Sequence, residues 1–300
     1  MGILKGVASL LLDVHAAKPF SGRVLQLGRQ EILFSGADLI AMAAQRNLAL
    51  PNREELSSAN IKLTDAEFFR ALGFSEIHIL DHKDFGNPDV AYDLNRDDLP
   101  DQYRNRYDCI VDGGTMEHVF HLPNLLKNLT LLLAPGGRIV HTNPASNCVE
   151  HGFYSFSPCF YSDYYRSNGF QIDALKLLNL GTRWLPVRMT AYDFVRPLPR
   201  FAIDGYLHGT RHYVFCVVTK TPEATWDKIP QQGFYASLWE SSPAAANAQP
   251  EGSGAGAQLK EFIKKRPGLD RILRRWGTPL LRWPRIRGSR KLLARMGVRV

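Results

Sequence analysis

No apolar run in this chain reaches the roughly 20 residues needed to cross a bilayer. The first 17 residues, MGILKGVASLLLDVHAA, interrupt their apolar positions with Lys5 and Asp13 and carry no small-residue cleavage site. They read as an amphipathic helix rather than a signal peptide. Cysteine is scarce: Cys109, Cys148, Cys159 and Cys216 show no C-x-x-C pairing, and two of the four sit in apolar strand-like runs. That spacing points away from a disulfide framework or a thiolate metal centre, and reduced, buried thiols in a cytosolic protein are expected. The scattered histidines form no set with metal spacing, so no metal is assigned. A G-x-S-x-G elbow, a Walker loop and internal repeats are also absent.

Charge is unevenly spread. Of 37 Lys and Arg, 14 follow residue 250, together with only 3 of the 29 Asp and Glu. The last 50 residues thus carry a net charge of +11 and the first 250 a net of −3. The high pI belongs to the tail, and a basic nucleic-acid-binding face on the preceding region is not expected.

The most informative stretch is 107–144, YDCIVDGGTMEHVFHLPNLLKNLTLLLAPGGRIVHTNP. It reads as a strand (107–111) ending in a carboxylate and two glycines, a helix, a Pro-Gly-Gly turn and a second strand (138–142). Leu122, Leu125, Leu126, Leu129, Leu132 and Leu133 recur at spacings of three and four, the stripe of a helix lying on a sheet. This is a β-α-β unit, which makes two parallel neighbours in an α/β fold. Ligands of such open sheets bind beyond the carboxyl ends of the strands, where Asp112, Gly113, Gly114, Thr115, Glu117 and His118 stand.

The rest of the chain fits the same pattern. A helix is predicted over 3–17, ended by Pro19, then a buried strand over 23–27 closed by Gly28. A helix over 37–46 and a loop with Pro51 follow. Thr64 and Glu67 form a capping box that opens a helix closed by Gly73. The strand 76–80 ends at Asp81, and a short strand over 89–92 leads to Asp93 and Leu94. Ser157 and Pro158 start a helix that Gly169 ends. Two last strands are predicted over 170–177 and 212–219, separated by an aperiodic segment, 178–211, read as an acceptor-side cap.

The segments YDCIVDGGTMEHVF and LLLAPGGRIVHTNP resemble the fourth and fifth strand regions of class I S-adenosylmethionine-dependent methyltransferases. With HGFYSFSP at 151–158 and NGF at 168–170 they are especially similar to small-molecule and glycan-cluster members. The resemblance covers about 21–219. It implies a Rossmann-like, mostly parallel seven-stranded sheet with helices on both faces and an antiparallel last strand. It also implies S-adenosylmethionine as cofactor, approached by the backbone at Gly28, with Asp81 on its ribose diol and Asp93 and Leu94 at its adenine. Asp112 ends the strand beside the donor and is expected to contact ligand. For catalysis, His118 and His151 are candidate bases and Glu117 orients a histidine or the acceptor. The loop LGRQEILFSG departs from the family's acidic-x-G-x-G-x-G pattern, having no second glycine until Gly36.

The expected organisation is a methyltransferase-like domain over 1–242, a flexible Ala/Gly/Pro-rich linker over 243–258 and a basic amphipathic tail over 259–300. The tail's Leu, Ile and Trp faces among Arg and Lys suit an anionic membrane surface at the inner side of a membrane. Nucleic acid would leave those apolar faces unused. The acceptor expected is a small molecule or a saccharide of a glycan or glycolipid, as in polysaccharide biosynthesis. A competing reading is a non-catalytic methyltransferase-fold scaffold at a membrane surface. A nicotinamide oxidoreductase ranks last, because G-x-G-x-x-G is missing. Nothing in the sequence sets an oligomeric state.

Overall fold

The computed structural model describes residues 2–58, 62–82, 87–181, 189–194 and 210–233. The linker 243–258, the tail 259–300 and most of the expected cap at 178–211 lie outside them. In chain order the elements are β1 (Gly2–Ile3), α1 (Lys5–Ala17), β2 (Gly22–Leu27), β3 (Glu31–Ile32), α2 (Gly36–Ala44) and α3 (Arg53–Ser58). Then come α4 (Asp65–Ala71), β4 (Phe74–Asp81), β5 (Val90–Ala91), β6 (Tyr107–Asp112), α5 (Leu122–Leu132) and β7 (Leu133–Ser146). The last are α6 (Pro158–Ser167), β8 (Gln171–Asn179), β9 (Thr190–Asp193) and β10 (His212–Thr219). They belong to a compact unit, Met1–Phe194 with Gly209–Pro230.

The main sheet has the order β5-β4-β2-β6-β7-β10-β8-β9. From β5 to β7 all pairs are parallel, whereas β10 runs antiparallel to both β7 and β8. This is the expected Rossmann-like sheet with one strand more than the seven predicted. The addition is β9, inside the segment read as a cap; it pairs antiparallel with β8, and its Asp193 meets Lys176 in an ion pair. A small parallel pair, β1 with β3, also went unforeseen. The strand predicted over 138–142 is much longer. Leu133 already pairs with Tyr107, and the Pro-Gly-Gly segment is drawn into the sheet by Gly136 N–H donating to Lys220 O and Lys220 N–H to Gly137 O.

Burial follows from alternation along the strands. Leu25 and Leu27 point to the side covered by α5 and α6, and Val24 points to the side covered by α1, α2 and α4. On α5, Leu125, Leu126, Leu129 and Leu132 are all buried. Each contributes about 1.5–3 kcal/mol of transfer free energy. Both predicted caps are present: Thr64 and Glu67 bond reciprocally at α4, and the Ser157 hydroxyl accepts from Cys159 N–H at α6.

Candidate active site

Chain order reverses between β2, from which the chain proceeds outward to β4 and β5, and β6, from which it proceeds to β7. The crevice at such a switch point lies beyond the strands' carboxyl ends. Here the Thr115 hydroxyl donates to Leu27 O at 2.6 Å and ties the two ends together. Gly28 follows β2 with φ +67°, in the left-handed region, and its N–H donates to Leu80 O. A Cβ at Gly28 would stand 3.7 Å from Thr115 Oγ1 and 3.9 Å from Asp81 Oδ2. Bare backbone, a hydroxyl and a carboxylate thus form a small cradle that a side chain at this position would fill. That fits the amino-acid and ribose parts of S-adenosylmethionine.

The missing glycines are replaced by two buried glutamines. Gln30 Nε2 donates to Leu27 O and Gly28 O, both at 3.1 Å, and Gln30 N–H donates to Gln26 Oε1 at 3.0 Å. Gln26 Nε2 donates in turn to Asp65 Oδ2 at 2.9 Å, and Asp65 pairs with Arg29. A Cβ on Gly113 would come within 2.1 Å of Gln30 Oε1, so a side chain across the crevice would push that carboxamide aside. The turn is therefore pinned by side chains rather than relaxed by glycine.

The other expected donor residues divide. Asp81 ends β4, its Oδ1 accepting from His82 N–H. Asp93 is half-buried, and Oδ1 accepts from Asn95 N–H and Nδ2 while Oδ2 lies 3.6 Å from His82 Nε2. Burial opposes ionisation of Asp93, but the Asn95 hydrogen bonds hold its carboxyl below the usual carboxylate range. Leu94 has its side chain in the core.

Asp112 is turned inward, contrary to the expected ligand contact. Fully buried, it accepts from Thr115 N–H and Met116 N–H on Oδ1, and from His141 Nδ1 at 2.8 Å and Asn143 Nδ2 at 2.9 Å on Oδ2. Burial alone would raise its pKa; the bond from His141, then the others, hold it low. His141 Nε2 lies 2.6 Å from the Tyr165 hydroxyl, and the Tyr161 hydroxyl donates to Asn143 Oδ1 at 2.7 Å. Asn143 Nδ2 also donates to Glu117 Oε2 at 3.0 Å. This network links the β6 end to the loop that follows it.

Glu117, His118 and His151 do come together. Glu117 is buried, with Oε1 3.4 Å from His151 Nε2 and 4.0 Å from His118 Nε2. The imidazole centroids are 5.1 Å apart. Burial, then the charge of Asp112, push the Glu117 carboxyl up to about 7. Burial and then His151 lower the pKa of His118. Phe153 N–H donates to Glu117 O at 2.7 Å, locking the 151–154 loop onto the 116–118 turn. A Cβ on Gly152 would meet that same oxygen at 2.7 Å. Close to His118 and to His151 in sequence, Phe120 and Phe153 form an edge-on pair, 67% and 66% exposed.

Beside this cluster lies a cavity of about 280 Å³. Its body is apolar, from Ile3, Val7, Leu11, Val140 and Leu178, while His151, Thr142, Arg211 and Tyr213 bring polar groups to it. Gly113 borders it at the β6 end.

Several site residues escaped the reading by motif: Gln26, Gln30, Asp65, His141, Asn143, Tyr161 and Tyr165. His141 and Asn143 carried a usable signal, being two polar residues spaced i, i+2 on one face of an apolar strand. Such residues need buried partners.

A family described as "Methyltransferase domain" matches residues 34–217, more than half of the chain. No curated protein matches. Among solved structures, a Burkholderia thailandensis 1,6-didemethyltoxoflavin-N1-methyltransferase with bound S-adenosylhomocysteine is similar at 15% identity. That similarity covers 72% of this chain and 78% of that one, with a TM-score of 0.35. An Archaeoglobus fulgidus SAM-dependent methyltransferase is similar at 13% identity over 72% and 94% of the two chains, with a TM-score of 0.38. A Thermotoga maritima structure titled a possible histamine N-methyltransferase shows 13% identity over 72% and 91%, with a TM-score of 0.36. With its match running from Phe34, just past the crevice loop, into β10, the chain belongs to the methyltransferase-domain family, as a class I enzyme that uses S-adenosylmethionine.

Proposed function

We propose that this methyltransferase acts on a small-molecule acceptor whose body occupies the cavity bordered by Gly113 and whose nucleophilic atom faces His151. The observation that carries the reading is the juxtaposition of two sites at adjacent strand ends. One is the Gly28, Asp81 and Thr115 cradle; the other is the cavity into which His151 and Thr142 project. S-adenosylmethionine supplies an electrophilic methyl group on sulfur, so the protein's task is alignment and removal of the acceptor's proton. Asp81 accepts hydrogen bonds from the ribose diol, and Asp93 lies on the adenine side. Glu117 and His151, 3.4 Å apart, take the proton of an acceptor hydroxyl or amine, with His118 beside them. A saccharide acceptor is favoured by one feature: the exposed Phe120 and Phe153 rings, on the two segments that carry His118 and His151, offer apolar surface for a sugar face. The basic segment 259–300 binds an anionic membrane surface and brings the domain to a lipid-linked acceptor.

The test is calorimetric titration with S-adenosylmethionine and S-adenosylhomocysteine, repeated with Asp81→Ala. Micromolar binding that the substitution weakens about tenfold, roughly 1.4 kcal/mol, is expected. No binding to the wild type would favour the scaffold reading.

A further inference from the structure

Glu117 Oε1 and His151 Nε2 are both buried, and neither makes a hydrogen bond among the described residues. Two buried polar atoms left without a hydrogen bond 3.4 Å apart are costly unless a third group binds both. The third donor, His118 Nε2, is 4.0 Å from the same carboxylate oxygen, and the three donor atoms all lie within 4.8 Å of one another. From this geometry we infer that Glu117, His118 and His151 bind a divalent transition-metal ion of the zinc, manganese or cobalt kind at the mouth of the cavity. The inference rests on the reading above and revises one point of it: with Glu117 Oε1 and His151 Nε2 on the ion, those atoms no longer take the acceptor's proton themselves.

Donor atoms on a tetrahedral ion at about 2.0–2.1 Å stand about 3.3 Å apart. The Glu117–His151 pair already has that spacing. His118 must swing inward by about 1 Å to reach it, and its side chain, 51% exposed, is free of the packing that would prevent this. Two imidazoles and one carboxylate suit first-row transition metals better than Mg²⁺ or Ca²⁺, which take oxygen donors. The surroundings also resemble those of a ligand held in place. Asn143 Nδ2 fixes Glu117 Oε2, itself held by Tyr161 on the amide's other atom, so that Oε1 is the oxygen presented to the histidines. Gly152, at φ +81°, brings the His151 loop against the Glu117 backbone where a Cβ would not fit. Three protein donors would leave coordination positions open, and one of the three, His151, lines the cavity proposed for the acceptor.

The experiment uses the full chain, stripped with a chelator and titrated with Co²⁺ and Zn²⁺ by visible absorption and calorimetry, with Mg²⁺ as comparator. S-adenosylhomocysteine is titrated into the same samples. One Co²⁺ per chain with visible d–d absorption is expected, displaced by Zn²⁺, and weakened at least thirtyfold in both His118→Ala and His151→Ala. His118→Ala is the safer variant for folding because that side chain is half exposed. Absence of Co²⁺ and Zn²⁺ binding in wild type that still binds S-adenosylhomocysteine would overturn the metal site and leave the methyltransferase reading intact. Cobalt spectra unchanged in both variants would overturn it equally. Metal binding lost in both variants, without affinity for S-adenosylhomocysteine, would support the metal site and count against the donor assignment.

Discussion

Asn143→Asp changes one atom's character and almost no volume, and it probes the linkage between the two buried carboxylates. The amide nitrogen stands 2.9 Å from Asp112 Oδ2 and 3.0 Å from Glu117 Oε2 and donates to both. A carboxylate in its place turns both contacts into oxygen facing oxygen. A hydrogen bond to a charged group is worth about 1.5–3 kcal/mol, so losing two costs about 3–6 kcal/mol. The Tyr161 bond to the other oxygen survives. Set against a typical domain stability of about 5–15 kcal/mol, the loss is large without being certain unfolding. With a urea slope of about 2–3 kcal/mol/M, the midpoint at pH 7.5 falls by about 1–3 M. The deficit shrinks as pH falls, because one proton taken up among the three carboxyls restores a donor to the cluster. A variant within about 0.5 kcal/mol of wild type at pH 7.5, the scatter of surface substitutions, would refute the assignment of Asn143 as donor to both.

Other consequences are simpler to state. Gly28→Ala puts a methyl group into the cradle between Thr115 and Asp81 at a positive φ. It should cost about 1–2 kcal/mol of stability and weaken S-adenosylhomocysteine more than tenfold in calorimetry; unchanged affinity would remove the donor from this cradle. Asp112 is held below its ordinary pKa of 3.8, so its contribution is present above that value and is lost as pH falls through the folded pKa. Asp112→Asn, which faces two donors with a third, should lose about 3–5 kcal/mol at pH 7 and progressively less below pH 3.8 in paired denaturation curves. For the tail, replacing Arg271, Arg274, Arg275, Arg285, Arg287 and Arg290 by Gln removes about 1 kcal/mol of attraction per cation. Co-sedimentation with anionic vesicles should vanish, and retention would refute the membrane role.

The β-α-β centre was legible because its signals are local: a leucine stripe, a terminal carboxylate, Thr64 with Glu67, Ser157 with Pro158. The strand order, the crevice and the Glu117, His118 and His151 cluster rest on those elements. What stayed hidden depended on pairing between distant segments. β9 is four residues long and exists through its register with β8. The LGRQ loop looked degenerate by its glycine count, yet Gln26 and Gln30 close it through bonds that no spacing rule describes. Asp112 was expected at this strand end in contact with ligand; its inward bonds had no local signal, because His141 and Asn143 come from β7, about 30 residues further on. The histidines gave no metal spacing for the same reason: His118 and His151 are neighbours only once 151–154 folds back on the 116–118 turn.

Two carboxylates without solvent exposure at one strand end would repel each other strongly if both were bare. Donor count separates them. Asp112 receives four hydrogen bonds, two from backbone N–H groups, and is held ionised. Glu117 receives one side-chain bond, from Asn143, and burial with the Asp112 charge raises it to about 7. Environments that push paired acids apart assign them different roles. Asp112 is the fixed anchor of the β6 end, and Glu117, with one oxygen tied and the other facing two imidazoles, is the carboxylate to which we assign the proton or the cation. The loop that brings in His151 is bonded to the Glu117 backbone through Phe153 N–H, so the carboxylate and the imidazole arrive together.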